Sequence, residues 1–199
     1  MSGSRLQLTR LGDDLAAATR RADALAEATF AIRPAPERWS PAECVQHLTL
    51  TTAALLPSLD AALAQAPAGF PATRPYRRGL LGAALAWSLE PGRGRYPTTA
   101  AFVPVATGTR DQVLAAFRES QEALAVRLGR AAGLNLTRIR VRSPFNARLR
   151  YNGYAALCIV VVHQRRHLAQ AEVAGRAAGA QVTAPADTSA SPPARPRRR

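Results

Sequence analysis

The chain of 199 residues is long enough for one domain with a substantial core, and its two cysteines exclude a disulfide-stabilised scaffold. Its net charge of +14 reflects 27 arginines and no lysine, spread along the whole sequence with few aromatics, which favours compositional bias over nucleic-acid binding. The first residues contain no apolar signal-peptide segment. The longest apolar run, residues 154–162, is too short to cross a bilayer. We therefore expect a cytoplasmic protein without membrane contact.

The first amphipathic segment covers residues 5–29. Its apolar residues recur at three- and four-residue steps, with Arg and Asp between them. This spacing places the apolar side chains on one face of an α-helix. Pro34 and Pro36 follow, and because proline cannot continue a helix, the sequence predicts an extended connection there.

A second helix is marked by the residues at its start. Ser40 suits the N-cap, Pro41 suits the first helical position, and Glu43 lies three residues after the cap, where it completes a capping box. Trp39 comes directly before the cap. A hydrophobic staple between Trp39 and Cys44 is therefore expected at this helix start.

The long segment after this helix is the least regular part of the sequence. The helix from Pro41 continues to about residue 67, and Pro57 is a candidate kink. Residues 67–109 are rich in Pro, Gly and Arg, with one short helix predicted over residues 79–89. A connection of this length either covers a functional site or simply crosses between parallel helices, and the sequence does not decide between the two.

The C-terminal half begins with a third long helix. Thr109 opens a second capping box, and the helix is predicted to end at Gly133. Residues 138–142 alternate arginine and aliphatic side chains, which is typical of an extended strand. A last helix is predicted over residues 153–175. From residue 184 on, the chain is rich in Pro, Ser and Arg with nothing apolar to bury, which predicts a disordered tail.

Three histidines are the first candidates for chemistry. His163 and His167 lie four residues apart in the last helix, so both imidazoles share one face and can reach one metal ion. Aliphatic residues share that face, which indicates that the histidines point inward. His47, on the second turn of the second helix, is the third. Three imidazoles suit zinc, nickel or another divalent ion, and hydrogen-bonded core histidines are the alternative interpretation.

Two further residues are candidates to orient these imidazoles. Glu43 lies one turn before His47, and Gln170 lies three residues after His167. Such partners fix the tautomer of a metal-binding histidine. Glu43 is also a candidate catalytic residue, although its place in the capping box explains it without chemistry.

Three arginines are candidates to bind substrate. Arg166 is adjacent to a histidine of the last helix, and Arg140 and Arg142 belong to the predicted strand. A guanidinium group can hold an anionic substrate, such as a thiol that carries a carboxylate. A solvated surface is the alternative interpretation for all three.

Two motifs give the chain a resemblance to the DinB-like superfamily. Residues 39–48, WSPAECVQHL, are similar to that family's W-S-x-x-E-x-x-x-H-L, and residues 163–170, HQRRHLAQ, are similar to its H-x-x-R-H-x-x-Q ending. The turn at residues 143–146 is only partly similar to the family's His-Pro-x-Phe-Gly. The resemblance spans roughly residues 5–178 and implies an all-α four-helix bundle with a long crossover between helices 2 and 3. We therefore expect one such domain over residues 1–183, and the composition predicts a disordered tail over residues 184–199.

The resemblance also implies a metal site and a class of reaction. It implies His47, His163 and His167 as the ligands of a divalent metal ion, with zinc as the first expectation. Members of the family include thiol transferases that use low-molecular-weight thiols and a maleylpyruvate isomerase. We therefore expect a metal-dependent thiol transferase or hydrolase that acts on a small molecule. The alternative is a non-catalytic metal-binding or structural bundle, and alanine-rich faces allow a homodimer.

Overall fold

A computed structural model describes residues 3–94, 97–105 and 108–183. The fold is predominantly helical, as predicted, and a short β-hairpin precedes the last helix. The elements are α1 Ser4–Asp23, α2 Pro41–Ala64, α3 Gly79–Ser88, α4 Arg110–Arg130, β1 Arg140–Arg142, β2 Arg150–Asn152 and α5 Gly153–Thr183. None of the described helices has both the length and the apolarity that a membrane crossing requires.

The long helices surround a common core. α2 lies against α4 and α5, α1 lies against the same two helices, and the short α3 packs on α5. Apolar side chains fill the space between the helices in two clusters. Along α5 the first cluster ends at Val162 and the second includes Leu168. His163 and His167 therefore lie between two apolar regions that hold α5 in place.

The helix starts follow the capping chemistry of the sequence. At α2 the Ser40 hydroxyl accepts a hydrogen bond from the Glu43 amide, while the Glu43 carboxylate accepts one from the Ser40 amide. Thr109 and Gln112 form the same reciprocal pair at α4. Both predicted capping boxes are confirmed. They fix where α2 and α4 begin, which places His47 on the second turn of α2.

Two helix ends differ from the prediction. α1 ends at Asp23 instead of residue 29, and a 3₁₀ turn follows at Glu27–Thr29. Arg110 of α4 donates hydrogen bonds to the carbonyl oxygens of Asp23 and Leu25, which satisfies them without a further helical turn. At the other end of the chain, α5 continues to Thr183, beyond the predicted end at residue 175.

The extended segment forms one strand of a hairpin. β1 pairs antiparallel with β2 in a register that places Val141 opposite Tyr151 and Arg142 opposite Arg150. The extended prediction for residues 138–142 is confirmed in its last three residues, whereas the partner strand was not predicted. The tail over residues 184–199, predicted to be disordered, lies outside the described residues.

Candidate metal centre

The three histidines converge at one point between α2 and α5. His47 comes from α2, and His163 and His167 come from successive turns of α5. One ring nitrogen of each lies within 4.8 Å of the others. His47 and His163 are buried and His167 is partly exposed. The geometry that the four-residue spacing predicted is therefore present, and it includes the third histidine.

A backbone carbonyl fixes the tautomer of His47. Its Nδ1 lies 2.8 Å from the carbonyl oxygen of Phe102. Because a carbonyl only accepts hydrogen bonds, Nδ1 carries the proton and the lone pair is on Nε2. That Nε2 faces Nε2 of His163 at 3.3 Å. Two nitrogens bound to a tetrahedral zinc ion at about 2.0–2.1 Å would be about 3.3–3.4 Å apart, so the separation suits two ligands of one ion.

The surroundings keep all three imidazoles neutral. Burial lowers the pKa of His47 below its usual value, although the Phe102 carbonyl opposes this. Burial and the neighbouring charges of His167, His47 and Arg166 hold the pKa of His163 well below 6.5. Burial, His47 and Arg166 lower the pKa of His167 to about 3. Near neutral pH each ring thus offers a lone pair, the form in which imidazole binds a metal.

Aromatic rings cover the histidines. The Trp39 ring centroid lies 5.0 Å from that of His47 and 6.0 Å from that of His167. The Phe145 ring contacts His163 edge to face, with 5.4 Å between centroids. Trp39 packs against the apolar cluster that contains Cys44, where the predicted staple would place it. Its contact with the two imidazoles was not predicted, although the tryptophan belongs to the first motif.

The histidines line a cavity of about 680 Å³. Most of its wall is apolar, and the crossover contributes one side of it through Leu85, Leu89 and residues 97–99. The other lining side chains are Glu37, Arg38, Trp39, Ser88, Ser143, Phe145, Leu149, Tyr151, Ile159, Arg166, Gln170 and Ala174. This volume lies within the range that accommodates a small organic ligand.

The two predicted orienting residues have different surroundings. The carboxylate of Glu43 accepts hydrogen bonds from the Arg33 guanidinium and from the Ser40 amide. The group that fixes His47 is instead the Phe102 carbonyl. Gln170 lines the cavity, and its side chain opposes the lowering of the His167 pKa by burial.

The three predicted substrate-binding arginines do not lie together. Arg166 lines the histidine cavity and donates a hydrogen bond of 2.6 Å to the carbonyl oxygen of Gly94. Arg140 and Arg142 line a different cleft, so the expectation that they approach the metal site is corrected. Strand alternation is the reason, because Val141 is buried and the arginines on either side of it project to the opposite face.

The hairpin supplies two polar groups to the cavity that the sequence did not identify. Burial raises the pKa of Tyr151, and a hydrogen bond with Ser143 opposes the increase. Both side chains line the cavity. Ser143 opens the turn whose motif is only partly similar to the family's, and Tyr151 lies in β2. No spacing signal could have located either residue.

The donor set fits a divalent ion. It consists of three neutral imidazole nitrogens, which zinc and its neighbours in the first transition row bind well. Nδ1 of His167 has no hydrogen-bond partner among the described residues. A buried polar atom without a partner costs free energy unless something binds to the site. The residues therefore match a three-histidine centre both in chemistry and in separation.

Comparison with known families agrees with this arrangement. The model of the DinB superfamily matches residues 7–171. The chain belongs to the DinB superfamily. The region that matches this superfamily includes all three histidines and ends one residue after Gln170. No curated protein and no solved structure gives a significant match to the chain.

Proposed function

We propose that this DinB-superfamily protein is a metal-dependent transferase or hydrolase whose divalent ion is held by His47, His163 and His167. The observation that carries the proposal is the convergence of three neutral imidazoles, within 4.8 Å of one another, on the wall of a cavity of about 680 Å³. Catalytic zinc sites commonly have three protein ligands and a position open to substrate. Zinc is the first expectation for the ion, and nickel is the second.

Within this proposal, a divalent ion held by the three histidines would lower the pKa of a thiol or of water toward neutrality. The residues of the chain do the rest. The Phe102 carbonyl holds His47 in the tautomer that presents Nε2. Trp39 and Phe145 pack against the imidazoles and reduce the access of bulk water to them. Tyr151 lines the cavity, and its hydroxyl is a candidate hydrogen-bond donor to a bound substrate.

The surroundings of the carboxylates favour a thiol over water as the nucleophile. Glu43, the candidate base, is bound by Arg33 and by the Ser40 amide. The carboxylate in the described lining of the cavity is that of the exposed Glu37. A thiol bound to a metal ionises without a separate base, whereas hydrolysis usually uses one. We therefore favour transfer of a low-molecular-weight thiol, with Arg166 and Gln170 as candidate contacts for its polar groups.

The same observation supports a second candidate function. Glu43 already has a structural role in the capping box and in the ion pair with Arg33. No other residue in the described part of the chain is identified as a general base for the centre. A DinB-superfamily chain of this kind can hold a metal ion without turnover. In that role the site would act as a non-catalytic metal-binding or interaction module.

The first experiment is elemental analysis of the purified full-length chain. The wild type should contain about one divalent ion per chain, and the variant His163→Ala/His167→Ala should contain less than about a tenth of that. The matched control is Val173→Ala/Glu172→Ala, which changes two residues outside the cavity on the same helix. Equal metal content in all three proteins, or no metal after incubation with zinc and nickel, would refute the metal site.

A second measurement separates the two candidate functions. The metal-loaded chain is mixed with a low-molecular-weight thiol and an electrophilic small molecule, and the loss of free thiol is followed over time. Turnover that is absent from the His163→Ala/His167→Ala variant supports the transferase. A loaded protein that gives no turnover with any thiol, and no hydrolysis of activated esters, supports the non-catalytic function.

A further inference from the structure

A second cleft, separate from the histidine cavity, lies between α2 and the β-hairpin. Its volume is about 530 Å³. Four arginines line it, together with Ser58 and Gln65 of the α2 region. We refer to it as the arginine cleft, and its four arginines are Arg138, Arg140, Arg142 and Arg150.

The backbone of the hairpin is what brings these arginines together. Ile139 and Val141 are buried, with 5% and 0% of their surface exposed, and they anchor β1 in the core. Arg140 and Arg142, on either side of Val141 in β1, must then project to the face opposite it, about 6.6–6.8 Å apart. Arg138 lies in the turn before the strand and lines the same cleft. Arg150 joins them from β2, because the register places it directly opposite Arg142.

The positive charge of the arginine cleft is not neutralised within the described part of the chain. Its lining contains no carboxylate, and none of its four arginines forms an ion pair with a described residue. Arg127, by contrast, pairs with Asp60 at 2.5 Å. Like charges directly opposite each other on paired strands destabilise a sheet, so the Arg142–Arg150 pair has a cost that a bound anion would offset.

We propose that the arginine cleft binds a small anion with two or more phosphate groups. Guanidinium groups bind phosphate through paired hydrogen bonds, and four of them exceed what a single carboxylate can use. Ser58 adds a donor, because its oxygen accepts a hydrogen bond of 2.8 Å from the Arg142 amide and its own proton stays available. The volume suits a small molecule.

The lining also decides against single-stranded nucleic acid. Apart from the arginines it consists of Ser58, Gln65, Ile139 and two alanines, without an aromatic side chain. Proteins that bind single strands stack the bases on aromatic rings, and this cleft offers no such platform. Its recognition therefore acts on the phosphates, and a compact polyphosphate satisfies four guanidinium groups within one cleft.

Titration calorimetry with inorganic triphosphate tests the proposal on the full-length chain, at a fixed ionic strength of about 0.15 M. The wild type should bind at one dominant site. The variant Arg140→Gln/Arg142→Gln/Arg150→Gln should bind at least about tenfold more weakly. The control Arg5→Gln/Arg20→Gln/Arg176→Gln removes the same charge from exposed positions and should stay within about twofold of wild type.

A second readout distinguishes a built site from general charge. Without triphosphate, the single variant Arg142→Gln should melt about 1–3 °C higher than wild type, because it removes the like-charged pair. With saturating triphosphate, it should melt lower than wild type. Circular dichroism would check that each variant keeps its helical content. This single variant also tests the proposal if the triple variant does not fold.

Three results would overturn the proposal. The first is no measurable binding of triphosphate by the wild type. The second is equal weakening in the cleft variant and the control variant, which would mean that net charge alone attracts the anion. The third is binding of a duplex DNA that is much tighter than binding of triphosphate and is lost in the cleft variant, which would identify the cleft as a nucleic-acid surface.

Discussion

Single groups at the metal centre differ in how far the sequence reveals them. The spacing of His163 and His167 located two of the three converging histidines, because a side chain four residues on must share a helix face. The capping box placed His47 on the second turn of α2, and the motif of the family resemblance joined it to the other two histidines. The Phe102 carbonyl that orients His47 could not be found this way, since every residue carries a carbonyl and this one is 55 positions away.

The ion pair of Arg33 with Glu43 is a second feature that depends on single residues. Glu43 is 1% exposed, and burial by itself raises the pKa of its carboxyl. The hydrogen bonds from Arg33 and Ser40 outweigh that effect, so the pKa is lowered in the folded state. The stabilisation that this carboxylate gives is therefore present above its unfolded pKa of about 4.3 and is lost as the pH falls through the folded value.

From this we predict the pH dependence of a Glu43→Gln variant. At pH 7 the variant should lose about 1–3 kcal/mol of the free energy of unfolding, because its amide cannot replace a charged acceptor for Arg33 and Ser40. Below the folded pKa of Glu43 the difference from wild type should shrink toward zero. Urea denaturation at pH 7 and at about pH 2–3 measures both values. Glu37→Gln, at an exposed position, is the control; a difference that stays constant with pH would contradict the prediction.

The starts of the helices could be predicted from the sequence more accurately than features that depend on how the elements pack. Both capping boxes gave the starts of α2 and α4 correctly, because each involves residues three apart in sequence. The end of α1 was wrong by six residues, because a side chain from α4 takes up its last carbonyls. β2 was missed because three residues carry too little alternation. Local capping was therefore predictable, whereas the end of α1 depended on a contact with a distant segment.

The docking of α3 depends on one glycine. A Cβ atom on Gly82 would lie 2.4 Å from the Cβ of Ala155 in α5. α3 must therefore approach α5 closely, and Leu85 and Leu89 of this region line the histidine cavity. Close approach at Gly82 is what lets the crossover form a wall of the site.

A Gly82→Ala substitution should accordingly destabilise the protein. We expect a loss of about 1–3 kcal/mol from overpacking, although alanine favours a helix more than glycine does. Gly129→Ala is a matched control within α4, where an added Cβ meets nothing within 4 Å and about 0.5–1 kcal/mol of stabilisation is expected. Thermal or chemical denaturation of both variants measures the contrast. Stabilisation of equal size in the two would show that α3 is not closely docked.

In the whole molecule, the three histidines of the candidate centre come from segments that are far apart in sequence. His47 lies in α2 and His163 and His167 lie in α5, so a shared ion would link two helices at the centre of the fold. Metal that binds only the folded state adds its binding free energy to stability. The site should thus act on the stability of the entire domain and not only on one helix.

We predict a corresponding shift in melting temperature. At a free metal concentration about 100 times the dissociation constant, the wild type should gain about 2.7 kcal/mol and melt about 5–10 °C higher. A chelator should reverse the shift, and the variant His163→Ala/His167→Ala should show none. Differential scanning calorimetry measures each state. An equal shift in wild type and variant would place the metal elsewhere on the chain.

The sequence was less informative about which residues line the clefts and the cavity of the folded domain. Short-range periodicity predicted the helical class and placed His163 and His167 on one face, whereas the motifs of the family resemblance joined His47 to them. The sequence misplaced Arg140 and Arg142, because strand alternation shows that two residues share a face without showing what that face meets. The cavity itself depends on how the crossover folds back over α5, which no local pattern encodes.

The indole of Trp39 has a spectroscopic consequence. The chain has two tryptophans, and the other, Trp87, is 60% exposed with the Arg93 guanidinium 4.2 Å from its ring. In a Trp87→Phe variant, all tryptophan emission would come from an indole whose ring centre is 5.0 Å from that of His47. Nickel has unfilled d orbitals and quenches a fluorophore at this range, whereas the filled d shell of zinc does not. The fluorescence of this one side chain would therefore distinguish the two ions in solution.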